Sequence, residues 1–286
     1  MTEIGLAKVL KIIVIGIIEG VTEWLPVSST GHMLLFDEFI PLVATESFKN
    51  TFFVVIQLGA ILAVVTVFFK KMMPIEVRSI APANAQTKKK LAFKQDSLML
   101  WAKVIVAVLP SAVAGLFLDD ILEETFGSPM SISVMLIVYG IAFIVVEKLS
   151  VHRTPKCDSI DSVTFLTAFI IGCFQVLSLV PGTSRSGATI IGALIIGVSR
   201  SAAAEFTFFL AVPTMLGASL LKILKLGAPL TGAEITALLI GMAVAYAVSL
   251  VTVKFLMGFV KKHSFTVFGC YRIVLGAIVI LVTLLR

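Results

Sequence analysis

The sequence predicts an all-α protein that crosses a membrane several times. Of its 286 residues, 58% are hydrophobic and only 14% are charged, and the mean hydropathy is +1.07. A soluble domain has about 45–50% apolar and about 25% charged residues. The composition therefore excludes soluble, disordered and fibrous proteins. The net charge of +6 comes from basic residues in short loops between apolar segments, where membrane topology accounts for them, so we expect no binding to nucleic acid.

Six segments are apolar and long enough to cross a bilayer, which requires about 20 residues in a helix. These expected transmembrane helices are residues 51–69, 98–118, 130–146, 206–221, 235–256 and 265–285. Two further apolar regions, 4–40 and 165–198, are too polar in their middles to cross as one helix. Each is long enough to enter the membrane, break and return. We therefore expect each to form a re-entrant hairpin of two half-helices.

The two interrupted regions resemble each other. Residues 19–31 and 174–187 both run from an apolar helix through a proline, Pro26 or Pro181, into a hydroxyl-rich turn with glycine. Three transmembrane helices follow each of them, and an odd number of crossings per half turns the second copy upside down. Inverted repeats with broken helices recur in transporters. The sequence thus predicts one membrane domain, 1–286, built from two inverted-topology repeats at about 1–150 and about 160–286.

Loop charges predict the orientation of the chain, because cytoplasmic loops carry an excess of Lys and Arg. The loop after Phe69 contains seven Lys and Arg against Glu76 and Asp96, so we expect this loop in the cytoplasm. The next transmembrane helix ends in an acidic group that fits the outside: Asp119, Asp120, Glu123 and Glu124. Four lysines fall on the opposite side to this scheme: Lys8, Lys11, Lys222 and Lys225.

Two carboxylates lie in the first interrupted region. Glu19 and Glu23 are four residues apart and share one face of a helix. Carboxylates inside a membrane segment are costly and usually functional, and no Lys or Arg stands at helical spacing from them within the segment. We expect the pair to hold a divalent cation, since hard cations take oxygen ligands. The alternatives are a pair at the water interface or neutralisation by a buried lysine.

A cluster of hydroxyls and one histidine follow Pro26. Ser28, Ser29 and Thr30 occupy N-cap-type positions for a helix expected to begin near Gly31. Plain capping is the alternative for at least one of these hydroxyls. Since His32 comes directly afterwards, the group suits nucleophilic or general acid–base chemistry.

The second interrupted region places an arginine among hydroxyls. Arg185 is flanked by other residues that can begin a helix: Thr183, Ser184, Ser186 and Gly187. A guanidinium at mid-membrane usually forms an ion pair or binds an anion. Its planar group of N–H donors can hydrogen-bond two phosphate oxygens at once. Two helix N-termini aimed at one point would add N–H donors. Alternatively, Arg185 pairs with Glu19 or Glu23 across the two repeats, and both roles can hold together. The combination points to phosphate or diphosphate chemistry.

Residues 19–32, Glu-Gly-Val-Thr-Glu-Trp-Leu-Pro-Val-Ser-Ser-Thr-Gly-His, and 181–187, Pro-Gly-Thr-Ser-Arg-Ser-Gly, are long and specific motifs. They closely resemble the two signature segments of the bacterial undecaprenyl-diphosphate phosphatases, also called bacitracin-resistance proteins. Segments 53–59, 171–175 and 205–213 are also similar to that family, and the resemblance covers essentially the whole chain.

The resemblance implies a membrane enzyme that hydrolyses undecaprenyl diphosphate to undecaprenyl phosphate and inorganic phosphate. Such an enzyme recycles the lipid carrier for peptidoglycan and other envelope polymers and confers resistance to bacitracin. It implies a multi-pass protein of the bacterial cytoplasmic (inner) membrane whose active site opens to the outer, periplasmic side. The implied partners are the lipid substrate and membrane lipids, without nucleic acid, and a homodimer is left open.

The resemblance also implies roles for individual residues. The implied catalytic residues are Glu19, Glu23, Ser29, His32 and Arg185. The implied phosphate-binding residues are Ser28, Thr30, Thr183, Ser184, Ser186 and Gln57. The implied cofactor is a divalent cation, Mg²⁺ or Ca²⁺, on Glu19 and Glu23. Two points stay open: whether Ser29 or a water molecule attacks phosphorus, and whether the chain transports a lipid phosphate instead. A non-catalytic scaffold is disfavoured, because it has no need of charged residues within apolar segments.

Overall fold

The computed structural model describes residues 5–42, 44–80, 88–150, 153–226 and 229–285. This described part contains twelve α-helices, two single-turn 3₁₀ helices and one two-stranded sheet. In chain order the elements are α1 (Leu6–Thr22), α2 (Ser29–Phe39), α3 (Glu46–Val55), α4 (Gln57–Val67), α5 (Phe69–Met72), β1 (Ile75–Ile80), β2 (Lys88–Phe93), α6 (Gln95–Phe126), α7 (Pro129–Ser150), α8 (Phe165–Val176), α9 (Arg185–Ile195), α10 (Arg200–Lys225), α11 (Gly232–Phe259) and α12 (Thr266–Leu284). The 3₁₀ helices are Ile160–Ser162 and Leu177–Leu179.

Six helices in the described part are long and apolar enough to cross a membrane. One is the stretch Ser47–Val67, which comprises most of α3 and all of α4 with a turn at Ile56 between them; the others are α6, α7, α10, α11 and α12. Each coincides with one of the six transmembrane helices expected from the sequence. The prediction of an all-α polytopic membrane protein is therefore confirmed.

The two interrupted regions are broken where the sequence predicts. The turn between α1 and α2 contains Pro26, and the turn between α8 and α9 contains Pro181. The helices α2 and α9 have 11 residues each and α8 has 12. Helices of this size are about 16–18 Å long, whereas the hydrocarbon core of a bilayer is about 30 Å thick. None of these three helices can cross it alone.

A β-hairpin in the basic stretch after α5 was not expected from the sequence. The strands β1 and β2 pair antiparallel, with Ile75 opposite Phe93 and Ile80 opposite Lys88. Residues 81–87 between the strands lie outside the described residues. The charge of this stretch indicated a loop, but Ile75 and Val77 alternate with polar residues, which is typical of a strand.

Close helix packing brings the two turns together in the interior. The helices α7 and α12 are antiparallel and meet at Gly140 and Gly269. A Cβ on either glycine would lie 2.7 Å from the other's carbonyl oxygen. Such close approach through small residues is typical of membrane helices. Beneath the turns, fully buried Trp24 packs edge to face on Phe208, with ring centroids 5.2 Å apart.

Candidate active site

The two turns have the same local geometry. Ser28 precedes α2 and Ser184 precedes α9, and both have a φ of 73°. The Ser28 hydroxyl accepts a hydrogen bond from the Gly31 amide at 3.3 Å, and the Ser184 hydroxyl accepts one from the Gly187 amide at 3.2 Å. The predicted capping is thus confirmed for one serine in each turn, although α2 begins at Ser29, two residues earlier than expected. A positive φ at a residue other than glycine is strained, and such strain clusters at functional sites.

Glu23 connects the two interrupted regions. Its Oε2 accepts a hydrogen bond from the Ser29 hydroxyl at 2.6 Å, and its Oε1 lies 3.3 Å from Nη2 of Arg185. The side chains of Arg185 and Glu23 are 10% and 8% exposed, so water screens this ion pair little. The alternative in which Arg185 pairs with one of the two carboxylates is confirmed for Glu23.

Arg185 has further contacts that fix its guanidinium. Its Nη1 donates to the Thr207 carbonyl at 2.9 Å, and its guanidinium carbon lies 6.0 Å from the centre of the Trp24 ring. Its Nε is buried and has no hydrogen-bond partner among the described residues. The head group is thus held from two sides, and one N–H donor stays available to an acceptor.

Glu19 is fully buried one turn before Glu23. Neither of its carboxylate oxygens has a hydrogen-bond partner within the described chain, and its charged neighbours are Glu23 and Arg185. Buried carboxylates are normally paired or bound to a metal. No cluster of three or more His, Cys, Asp or Glu side chains among the described residues could hold a metal ion. Mg²⁺, however, is commonly bound by only one or two carboxylates together with substrate phosphates, so the two glutamates fit that kind of cation.

The His32 side chain contacts groups other than the Ser29 hydroxyl. Its Nδ1 lies 2.7 Å from the Ser28 carbonyl oxygen and its Nε2 lies 2.7 Å from the Tyr271 hydroxyl. A carbonyl oxygen only accepts, so Nδ1 carries a proton, and in the neutral ring Nε2 accepts from Tyr271. No direct hydrogen bond to Ser29 is present within the described part.

Arg272 also belongs to this site, although no role for it was predicted from the sequence. It is fully buried in α12 and donates to the carbonyl oxygens of both turns: Pro26 at 3.3 Å, Gly182 at 2.7 Å and Thr183 at 2.9 Å. It makes no ion pair with the described residues, so these carbonyl dipoles are its compensation. An arginine inside an apolar segment was the signal that could have found it, as it found Arg185.

The remaining expected phosphate-binding residues divide into two groups. Thr183 and Ser186 are buried, and the Ser186 hydroxyl donates to the Glu23 carbonyl at 3.3 Å. Both residues therefore lie where the two turns meet. Thr30 is exposed. Gln57 is half-buried at the start of α4 and forms no hydrogen bond with the site residues in the described structure.

These side chains form one site with complementary chemistry. It combines a hydroxyl bonded to a carboxylate, a second buried carboxylate, a fixed guanidinium and the N-termini of α2 and α9. A hydroxyl beside a base can act as a nucleophile. A guanidinium and helix N-termini stabilise negative charge on phosphate oxygens. The arrangement suits transfer or hydrolysis of a phosphoryl group.

Comparisons with known proteins agree with this chemistry. The family described as "Bacitracin resistance protein BacA" matches residues 12–278. A protein of Enterococcus faecalis named undecaprenyl-diphosphatase is 58% identical over 276 residues, which cover 96% of this chain and 97% of that protein. Proteins with the same name from Lachnoclostridium phytofermentans and Desulfitobacterium hafniense are 53% and 50% identical, over 95% and 97% of this chain and 96% of each relative. The chain therefore belongs to the BacA family of bacitracin resistance proteins.

Proposed function

We propose that this protein is a membrane phosphatase that hydrolyses undecaprenyl diphosphate to undecaprenyl phosphate and inorganic phosphate. The observation that carries the proposal is the pair of contacts on Glu23, with Ser29 on one oxygen and Arg185 on the other. The relatives named undecaprenyl-diphosphatase, such as the Enterococcus faecalis protein at 58% identity, support the choice of substrate. The enzyme returns the lipid carrier to the synthesis of peptidoglycan and other envelope polymers. It confers bacitracin resistance by removing the diphosphate that the antibiotic sequesters.

Ser29 is the nucleophile in the proposed reaction. Its oxygen attacks the terminal phosphorus while its proton passes to Oε2 of Glu23, 2.6 Å away. The bond between that phosphorus and the bridging oxygen breaks, and undecaprenyl phosphate leaves with the bonding electrons. Water then cleaves the phosphoserine and releases inorganic phosphate. The short hydrogen bond between Ser29 and Glu23 favours this route over direct attack by water.

Arg185 stabilises the charge that develops on the phosphate oxygens. Its Nε–H has no hydrogen-bond partner among the described residues, so it can donate a hydrogen bond to a phosphate oxygen. Its Nη1 is held by the Thr207 carbonyl, so little reorganisation is needed when substrate binds. Preorganised donors of this kind are usually the largest single contribution to catalysis.

A divalent cation, Mg²⁺ or Ca²⁺, is proposed to be held by Glu19 and Glu23. The orphaned oxygens of Glu19 support this assignment, because a buried carboxylate without a partner is costly. When bound, the cation would neutralise charge on the substrate phosphates. Which of the two metals is preferred, and whether two copies of the chain form a homodimer, stay open.

His32 is proposed to move protons in combination with Tyr271. Its Nε2 is hydrogen-bonded to the Tyr271 hydroxyl, which is about half exposed. Together the two side chains form a path between the site and a more exposed position on α12. Such a pair can deliver a proton to the departing phosphate or take one from the incoming water.

The architecture is proposed to be two inverted repeats, about 1–150 and about 160–286, each beginning with a re-entrant hairpin. The contacts between α7 and α12 support it. Gly140 approaches Gly269, and Ser133 approaches Gly276 in the same way: a Cβ at Gly276 would lie 2.7 Å from the Ser133 carbonyl oxygen. The number of residues from Gly140 to Gly276 is the same as that from Ser133 to Gly269. A single shift along the chain therefore exchanges the partners of the two contacts. Such an exchange of contacts is the property of a two-fold axis, and because the helices are antiparallel, this axis lies in the membrane plane.

The turns obey the same relation. A Cβ at Gly31 would lie 3.3 Å from Leu136, and a Cβ at Gly187 would lie 3.3 Å from Arg272. Arg272 follows Leu136 by the same interval that separates Gly276 from Gly140. The proposed axis therefore passes close to Arg272, where the two turns meet.

The protein is proposed to lie in the bacterial inner membrane with the acidic end of α6 outside and the site open to the periplasm. Two lysines that did not fit the loop charges are accounted for: Lys222 lies 2.9 Å from Glu123, and Lys225 lies 2.8 Å from Asp120. Because these carboxylates neutralise the two lysines, the lysines contribute little to the loop charge from which the orientation is predicted. After replacement of the native cysteines, a cysteine at Lys89 should be labelled from the cytoplasm and one at Asp120 from outside. Labelling in the reverse sense would overturn the orientation.

Release of phosphate by the purified protein in detergent is the test of the function. Undecaprenyl diphosphate should yield inorganic phosphate and undecaprenyl phosphate, and a chelator should stop the reaction until Mg²⁺ or Ca²⁺ is restored. Because detergent leaves no second compartment, transport of a lipid phosphate would release nothing. Absence of phosphate release with and without added metal would contradict the proposal.

A further inference from the structure

A second basic site lies away from the two turns, where α7 ends and α10 begins. A cavity of about 300 Å³ opens there, and its lining includes the basic side chains of Arg153, Arg200 and Lys261 and the serines Ser199 and Ser201. We call it the basic cavity. Arg200 precedes Thr207, the residue that holds Arg185, by about 10 Å along α10 at 1.5 Å per residue. The basic cavity is therefore separate from the candidate active site.

The charge of the basic cavity is only partly neutralised. Arg200 is held by Glu147, with Nε 3.0 Å from Oε1 and Nη2 2.6 Å from Oε2, and Glu147 also accepts the Phe265 amide at 2.8 Å. This single carboxylate offsets one positive charge and fixes the guanidinium. Arg153 and Lys261 are exposed and form no ion pair with the described residues. Two positive charges are thus left to act on the cavity.

Helix stability does not explain the position of Arg200. It is the first residue of α10, and basic residues at a helix N-terminus oppose the helix dipole. Ser199 already caps the helix by accepting a hydrogen bond from the Ala202 amide. In the proposed first repeat, the matching helix α3 begins with Glu46 after its cap Thr45. Arg200 instead pairs with buried Glu147, and this pair holds its guanidinium at the wall of the cavity.

We propose that the basic cavity binds the phosphate group of an anionic ligand at the membrane surface. Its volume is at the lower end of the range for ligand sites, about 300–1,000 Å³, which is enough for one phosphate group with a small substituent. It lies at the ends of the membrane-length helices α7, α10 and α11, at the level of lipid headgroups, where basic pockets bind acidic lipids. Arginine forks and serine hydroxyls are donors suited to phosphate oxygens. The source is either a phospholipid headgroup or free phosphate.

The test compares two double variants with the same loss of charge. Arg153→Gln with Lys261→Gln removes the unpaired charges of the basic cavity and leaves the Arg200–Glu147 pair intact. Lys148→Gln with Lys262→Gln removes two exposed charges from the same end of the molecule, and neither of these residues lines the cavity. The intact protein is reconstituted in nanodiscs of phosphatidylglycerol and phosphatidylcholine, and retained lipid is counted by native mass spectrometry. Inorganic phosphate is titrated separately in lipid-free detergent.

We expect the basic-cavity variant to bind the ligand about 25-fold more weakly than wild type, because each of the two basic residues should contribute about five-fold. The single Lys261→Gln variant should lose about five-fold, and the control should stay within about two-fold of wild type. Retention of phosphatidylglycerol with this pattern identifies a lipid headgroup, and phosphate binding with this pattern identifies free phosphate. Equal losses in the two double variants, or no preference of wild type for either ligand, would overturn the proposal.

Discussion

The two turns of the site share one backbone design and carry different side chains. Ser28 and Ser184 have the same φ and cap their helices in the same way, and the next residue begins the helix: Ser29 in the first turn and Arg185 in the second. Both of these residues donate to Glu23, one to each carboxylate oxygen. Equivalent positions thus act on the same group from opposite sides.

This difference shows how two turns of similar backbone geometry build an asymmetric site. The first interrupted region supplies the carboxylates, the hydroxyl and the imidazole, and the second supplies the guanidinium. Beside the turns, Leu136 packs near Gly31 and Arg272 packs near Gly187. The backbone provides two helix N-termini, and the different side chains at the two turns provide the division of chemical roles.

Ser29→Ala removes the proposed nucleophile of the first turn and has the largest expected effect. Turnover should fall below detection, and wild-type enzyme quenched during reaction with substrate labelled in the terminal phosphate should carry label on Ser29. Ser219→Ala is the matched control, because it removes another buried hydroxyl, which is bonded to the Val54 carbonyl, and should leave the rate within about two-fold. Turnover of Ser29→Ala within a few-fold of wild type would favour direct attack by water.

Glu23→Gln tests the group that both turns contact. Glutamine keeps the size of the side chain but cannot take the Ser29 proton or neutralise Arg185. We expect about a 10²-fold loss of phosphate release, the lower end of the range for general base catalysis, restored only in part by extra Mg²⁺ or Ca²⁺. A wild-type rate in this variant would show that the carboxylate is merely structural.

Arg272→Leu introduces the residue type of Leu136, its counterpart in the proposed first repeat, and should have a smaller effect. Three carbonyl oxygens of the two turns lose their donor, at about 1–3 kcal/mol for each buried group left unsatisfied. We expect a lower unfolding temperature and about a 10-fold lower rate, because small displacements of reacting groups are costly. Lys254→Leu, which removes an exposed charge from α11, should change neither. Unchanged stability in Arg272→Leu would contradict its role in joining the turns.

Most of the fold could be predicted from the sequence because long apolar segments and their polar interruptions are local signals. All six transmembrane helices and both breaks follow from them. The β-hairpin was missed because the lysines and arginines between Ile75 and Phe93 indicated a loop more strongly than the short alternation of apolar residues indicated strands.

The site was predicted in its composition but not in its connections. Local spacing identified Glu23 and Arg185, but the choice of Glu23 over Glu19 as the partner depends on how α1 and α9 meet. The contacts of Arg272 and Tyr271 with residues more than 80 positions away cannot be deduced from spacing. Gln57 came from the family resemblance alone, and within the described residues it forms no hydrogen bond to the site.

The rate of Arg185→Ala tests most directly the central claim that the second turn completes the active site. Phosphate release from undecaprenyl diphosphate is measured for wild type, Arg185→Ala and Arg185→Lys, each shown to be folded by size-exclusion chromatography and thermal unfolding. Arg185→Ala should be slower by about 10²–10³ or more, as on removal of one preorganised donor. Arg185→Lys should also be severely impaired, because lysine keeps the charge and loses the planar fork. Folded Arg185→Ala that hydrolyses the lipid diphosphate at near the wild-type rate would contradict the claim.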